Sequence, residues 1–202
     1  KKYKPWGVIL FKRNIKDIRQ SKKLTLEIRK IFKDKNYPIL IDQEGGRVNR
    51  LENIISFESF TSEFFGKKFI SDKRKFNILF QLFISKTSYL LKLIGVNINT
   101  VPVLDLRVKG SSNIIGNRSY SANPKIVSAI GDFCIKSYQS NGIGTVMKHI
   151  PGHGLAKVDS HYSTPIINKK IRENILNQKK LSVSKVRNIK DKISKKNLIN
   201  RI

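Results

Sequence analysis

Cysteine, acidic side chains and long apolar runs are what this sequence has least of. One cysteine, Cys134, excludes an intramolecular disulfide framework and any zinc cage built from cysteines. No apolar run reaches the roughly 18 residues of a membrane helix; the best, residues 78–84, is far shorter. The start, Lys1-Lys2-Tyr3-Lys4-Pro5, has no initiator Met and no signal-peptide core. These absences lead us to expect a soluble, cytoplasmic chain without membrane association, lacking its true N-terminus. Only 14 Asp+Glu stand against 41 Lys+Arg, a net charge of +27. Such a surplus raises nucleic acid or an anionic membrane as partner. The lysines are spread along the chain, with no zinc-finger spacing and no Gly/aromatic RNA-binding box, as a Lys/Asn/Ile-rich coding bias would leave them. We therefore expect nucleic acid to bind only non-specifically.

What is present is an ordinary globular composition, 39% hydrophobic over 202 residues, enough for one domain with a sizeable core. Short apolar runs alternate with helical patterns. Residues 7–11 read as a strand, and 16–34 as a helix with Leu24, Ile28, Ile31 and Phe32 on its inner face. A second strand spans 38–42. A long amphipathic helix over 72–94 runs through Phe76, Leu79, Phe80, Phe83 and Leu91, with Ser71 as its N-cap. Residues 96–103 form a third strand. Asn123-Pro124 opens a helix whose inward residues are Val127, Ile130, Cys134 and Tyr138. Residues 144–148 form a fourth strand. The alternation gives an α/β fold with a parallel sheet, either a small open sheet or part of a (β/α)₈ barrel. In both, chemistry gathers beyond the carboxyl ends of the strands, where this sequence puts Asp42, Asp105, Lys148 and His149. Residues 168–202 differ: nine Lys and three Arg face only Glu173 and Asp191, with no Gly, Pro or aromatic residue. A solvated basic helix or a disordered tail is expected there.

Three clusters carry possible chemistry. Asp42-Gln43-Glu44-Gly45-Gly46-Arg47-Val48-Asn49-Arg50 follows a strand, and its glycines permit a sharp turn. Its carboxylates suit sugar hydroxyls and its guanidiniums suit an acetamide or carboxylate oxygen; an ion-pair network bracing the loop is the plainer alternative. Arg118, in Ile115-Gly116-Asn117-Arg118-Ser119-Tyr120, suits a ligand contact or a pairing with Asp105. Lys148-His149-Ile150-Pro151-Gly152-His153-Gly154 and Asp159-Ser160-His161 together hold all three histidines. His149, His153, Asp159 and His161 are competent metal ligands, although Pro151 and Gly152 break the helix a His-x-x-x-His site needs. Alternatively, Asp159 orients His161 for acid/base work while His153 braces the loop.

Taken together, DQEGGRVNR at 42–50, PVLDL at 102–106, IGNRSY at 115–120, KHIPGHG at 148–154 and DSH at 159–161 resemble the cytoplasmic β-N-acetylglucosaminidases of glycoside hydrolase family 3. The resemblance covers roughly residues 5–166. It implies a partial (β/α)₈ TIM barrel of about four βα units over 1–166, followed by a basic tail, 167–202, that is not family-like. It implies a β-N-acetylhexosaminidase of peptidoglycan recycling, acting on N-acetylglucosaminyl-anhydromuramyl peptides or related β-N-acetylglucosaminides by a retaining mechanism, as a monomer. Asp42, Arg50, Arg118, Lys148 and His149 match its sugar-binding positions. His161 matches the general acid/base and Asp159 its partner. No cofactor and no metal are implied.

The departures matter as well. The family's nucleophilic aspartate lies in an Ile-Ser-Asp-Asp-like segment on a late strand. Ile70-Ser71-Asp72-Lys73 is only superficially similar, because it precedes the acid/base loop. With no late strands after 166, the chain reads as an incomplete gene product, a fragment or a frameshifted body. It is expected to be inactive for want of the nucleophile. A non-catalytic basic module binding anionic polymer is the competing class.

Overall fold

Four short strands form one parallel sheet in sequence order: β1 (Val8–Leu10), β2 (Ile39–Ile41), β3 (Ile98–Asn99) and β4 (Gly144–Thr145). The computed structural model describes residues 3–108, 113–150 and 152–154. Between the strands run α1 (Ile18–Phe32), α2 (Ser62–Ser71), α3 (Lys73–Leu93) and α4 (Pro124–Ser140). Crossovers between parallel strands are right-handed. An order that never reverses therefore puts every connecting helix on the same side of the sheet. That is the winding of a barrel segment; a doubly wound sheet needs a reversal.

The two faces differ accordingly. Leu10, Ile41 and Asn99 form one cross-strand row and are all buried, as is Ile39 beside them. Ile9, Leu40, Ile98 and Gly144 form the neighbouring row on the opposite face, where Ile9 is 41% exposed. β3 is only two residues long, and asparagines extend its pairing. Ile39 N donates to Asn97 Oδ1 at 2.8 Å. Gln43 N donates to Asn99 Oδ1 at 3.0 Å, while Asn99 Nδ2 donates to Gln43 O at 2.9 Å. The expected longer third and fourth strands continue as irregular pairing. Lys148 N reaches Pro102 O at 3.1 Å, and Leu104 N reaches Lys148 O at 2.6 Å. Pro102 has no N–H to donate, which interrupts a regular ladder there.

Each helix starts where a side chain can satisfy free backbone N–H groups. Asp17 caps α1, Thr61 caps α2 and Asn123 caps α4. Asp72, not Ser71, caps α3, its carboxylate accepting from Lys75 N at 2.9 Å; Ser71 closes α2, a helix that periodicity did not reveal. On α1 the inner face is Ser21, Leu24, Thr25, Ile28 and Phe32. Ile31 lies about 100° round the helix from Phe32, beyond the buried stripe, and is 60% exposed. On α4, Val127, Ile130, Cys134 and Tyr138 are all buried as the pattern requires.

Phenylalanines build the core under one end of the sheet. Phe57, Phe60, Phe65, Phe76, Phe80 and Phe83 stack and meet edge-on at centroid separations from 4.5 to 6.3 Å. The two sheet faces make a prediction. Ile39→Ala, on the fully buried face, should cost about 3 kcal/mol through the cavity it leaves. Ile9→Ala, on the half-open face, should cost less than about 1 kcal/mol. Urea unfolding of the two variants measures the difference, and equal losses would contradict the assignment of faces.

Candidate functional site

The site starts from the end of β2. Asp42 and Glu44 are two residues apart in extended chain, so their side chains leave on the same side. The backbone then reverses: Glu44 N donates to Val48 O at 3.0 Å and Val48 N to Gly45 O at 3.2 Å. Gly45 and Gly46 make this possible at φ 91° and 57°. A Cβ on Gly45 would stand 2.3 Å from Phe60 O, so the turn sits directly on the phenylalanine core. Gln43 points the other way, fully buried. Its Oε1 accepts from Arg50 N at 2.8 Å and Leu51 N at 3.1 Å, which closes the loop and returns Arg50 to Asp42.

The chain following β4 brings Lys148 into the same space. Lys148 Nζ donates to Asp42 Oδ1 at 2.7 Å and lies 2.6 Å from Glu44 Oε1. Thr100, at the end of β3, donates its hydroxyl to Asp42 and accepts from Lys148 Nζ at 3.2 Å. Arg118 grips Glu44 with a fork, Nε to Oε2 and Nη2 to Oε1, both 2.8 Å. Arg50 Nη2 stands 3.7 Å from Asp42 Oδ2 and its guanidinium lies over the Phe11 ring. Asp42, Arg50, Arg118 and Lys148 are thus brought into one contiguous network.

Arg118 does not pair with Asp105. That carboxylate is fully buried and already taken. It accepts from His149 N at 3.1 Å, from Gly154 N at 2.9 Å and from His153 N, and it lies 2.6 Å from His149 Nδ1. An ionised carboxylate only accepts, so Nδ1 carries the hydrogen and Nε2 is left for a ligand. Asp105 therefore joins both ends of the 149–154 loop and sets the His149 ring. The His153 ring meets His149 edge-on at 6.1 Å, and both its nitrogens are buried without a hydrogen-bond partner among the described residues. Asp159 and His161, the expected acid/base pair, lie outside the described residues, as does the tail, 167–202. Among the described residues no three His, Cys, Asp or Glu side chains come together as a metal-holding group.

Sequence reasoning left out Thr100, the pairing role of Glu44 and the anchoring role of Asp105. It counted Arg47 among the guanidiniums of the 42–50 cluster but not its partner: Nη2 donates to Asn113 O at 2.6 Å and steadies the segment before Arg118. Asp105 had one signal, its place just beyond the expected third strand; Thr100, inside that expected strand, had none.

The electrostatics follow from burial and pairing. Burial alone would raise the Asp42 carboxyl, but hydrogen bonds from Lys148 and Thr100, with the charges of Lys148 and Arg50, hold it below its ordinary value. Burial would raise Glu44 too, and Arg118 and Lys148 outweigh it. At Asp105 burial is outweighed by His149 and by backbone N–H groups.

Comparison with known proteins places this geometry. The model of the glycosyl hydrolase family 3 N-terminal domain matches residues 1–186. The chain belongs to glycosyl hydrolase family 3. It is 33% identical over 167 residues to a beta-hexosaminidase of Hydrogenovibrio crunogenus, covering 83% of this chain and 46% of that protein. NagZ from Neisseria gonorrhoeae, solved in complex with N-trifluoroacetyl-D-glucosamine, superposes with TM-score 0.71 at 32% identity, over 79% of this chain and 47% of that one. A family 3 beta-N-acetylglucosaminidase from Paenibacillus sp. gives TM-score 0.74 at 28% identity, over 89% of this chain and 34% of that one. The chain therefore spans less than half the length of these relatives, and the parallel α/β sheet is that of the family's N-terminal domain.

The three depressed carboxylates make a prediction. Their folded pKa values lie below the unfolded ones, so the unfolded chain takes up protons first as pH falls. Their stabilising contribution is complete above the ordinary carboxylate range and is lost as pH drops below about 5, through the folded values. Asp105→Ala should flatten this acid limb and cost about 3 kcal/mol at pH 7, because buried donors lose their acceptor. Urea midpoints from pH 3 to 8 measure both effects; an unchanged acid limb in the variant would contradict the role given to Asp105.

Proposed function

We propose that this chain is the N-terminal part of a cytoplasmic β-N-acetylhexosaminidase that removes terminal N-acetylglucosamine from muropeptides with retention of configuration. The supporting observation is the network joining Asp42, Arg50, Arg118 and Lys148 beyond the carboxyl ends of the strands. These positions carry the motifs by which the chain resembles its family. In this reading Asp42 accepts hydrogen bonds from sugar hydroxyls. Arg118 and Lys148 donate to the ring substituents, Nε2 of His149 accepts from them, and Arg50 closes the rim. Cations already held by carboxylates need no reorganisation when the sugar arrives, which favours binding.

The chemistry of the proposal is double displacement. His161, oriented by Asp159, protonates the glycosidic oxygen while a carboxylate attacks the anomeric carbon. His161 then takes a proton from the water that releases the sugar. The family's nucleophilic aspartate has no counterpart in these 202 residues, so we expect them to bind sugar without turning it over. We place the barrel part at residues 1–166, while the family match itself runs to residue 186. The functional unit is a monomer, and its substrate is an N-acetylglucosaminyl-anhydromuramyl peptide or a related β-N-acetylglucosaminide.

N-acetylglucosamine titrated into the full chain should shift the amide resonances of Gly45, Gly46 and Gly154. Asp42→Asn should weaken that binding at least tenfold, since a carboxylate acceptor is replaced by a neutral one. Nitrophenyl N-acetylglucosaminide should be hydrolysed at no more than a trace rate. No sugar-dependent shift at these glycines would sink the binding reading. Robust turnover with a glycosyl adduct on some other carboxylate would sink the nucleophile argument.

A further inference from the structure

Arginine and lysine side chains that converge at one end of a sheet ordinarily make a site for phosphate or carboxylate. Four converge here. Arg50, Arg118 and Lys148 belong to the network, and Arg47 is close enough to feel the charge of Arg118. The whole chain carries a net charge of +27 and attracts anions from every side. Yet the unit that these side chains would hold in the proposed function, the terminal N-acetylglucosamine, is uncharged.

Glu44 is the side chain whose placement answers this. It is 2% exposed, its Oε1 lies 2.6 Å from Lys148 Nζ, and both its oxygens accept from the Arg118 fork. A ligand cannot reach it, so it contributes no direct contact. Asp42, at 19% exposure, is open to a ligand in a way that Glu44 is not. What Glu44 supplies is a buried negative charge behind two of the cations. With Asp42 and Asp105 it sets three carboxylates against four cations, leaving the site close to neutral.

We propose that Glu44 is a specificity-determining positioning residue: it neutralises Arg118 and Lys148 from behind, so that the position they line accepts a neutral N-acetylated sugar unit and refuses an anionic group there. This rests on the sugar-binding reading above for its preferred ligand. Its anion-refusing half stands independently of that reading.

The experiment uses the full chain, with inorganic phosphate and N-acetylglucosamine as probes. Both are read at the Gly45, Gly46 and Gly154 amides, so that binding to lysines elsewhere is not counted. In the unaltered chain phosphate should leave these resonances unmoved at concentrations where the sugar shifts them. Glu44→Gln keeps the size of the side chain and removes the charge. It should tighten phosphate about tenfold at low salt, the effect of one missing charge a few ångströms from the ligand. It should also weaken N-acetylglucosamine about tenfold, because the Arg118 fork loses its ionic partner. The preference then moves about a hundredfold toward the anion. Glu44→Asp keeps the charge and should restore the refusal of phosphate. A loss of folding cannot produce this inversion, since it would weaken both probes.

Equal weakening of both probes in Glu44→Gln would overturn the proposal. So would phosphate entering the unaltered site as tightly as the sugar, a comparison that holds even where Glu44→Gln does not fold. If the unaltered chain ignores the sugar while Glu44→Gln gains phosphate at these glycines, the sugar reading falls and the charge role of Glu44 stands. If neither happens, both fall.

Discussion

An ammonium group held between two carboxylates, largely withdrawn from water, is the constraint on which the rest of this site depends. Lys148 Nζ lies within 2.7 Å of both Asp42 and Glu44, and its side chain is mostly buried. Removing any one of these charges from water is costly, and an unpaired buried partner would be costlier still. The three must therefore arrive together, although 106 positions separate Asp42 from Lys148. A slip of one residue in the continuation of β4 would turn Lys148 to the other face and leave two carboxylates facing only arginines. The irregular pairing of Lys148 with Pro102 and Leu104 is what prevents that slip. The weakly laddered end of the sheet is thus fixed by backbone bonds on one side of Lys148 and by charge on the other.

The same constraint explains how the loops are arranged. Each carboxylate that could have competed for Arg118 or Lys148 is assigned elsewhere by backbone geometry. Asp105 is saturated by N–H groups of the 149–154 loop and by the His149 ring, so it does not draw Arg118 away. Arg47 spends its donors on the carbonyls of residues 113–115 and not on Glu44. The result is a division of labour. One acid organises a loop, one organises cations, and only Asp42 keeps an oxygen partly open.

Much of the fold was legible in the sequence because it depends on local chemistry. Apolar runs bounded by Gly and Pro marked all four strands, Asn123-Pro124 marked the start of α4, and the alternation of elements implied a parallel sheet. α2 escaped because Gly66 and the lysines beside its phenylalanines blur the helical period, and its burial comes from packing against α3. Ser71 and Asp72 are both good caps by type, and only the backbone geometry decides between them. For the site, sequence located the residues but not who holds whom. Arg118 pairs with Glu44, 74 positions away, while the nearer Asp105 is occupied. Pairing of that kind is set by which strand ends adjoin, information that no window along the chain contains. Thr100 was invisible for the same reason, since a threonine within an expected strand is unremarkable until Asp42 is placed beside it.

Placing charge and scaffold side by side also says why the site lies at this edge and not on a helix face. Sequential winding puts the helices on one side of the sheet, so every strand delivers its following residue to the same rim. Phe11 after β1, Asp42 after β2, Thr100 after β3 and Lys148 beyond β4 are therefore neighbours by topology before any side chain attracts another. Long-range pairing of charges becomes affordable only because the backbone has already brought the bases of those side chains together. The glycine turn at 45–46 then adds Glu44 to that rim at no cost in side-chain clash, seated on the ring stack of Phe60 and Phe83. Apolar packing below fixes the turn, the turn fixes the carboxylate, and the carboxylate fixes the two cations that face outward.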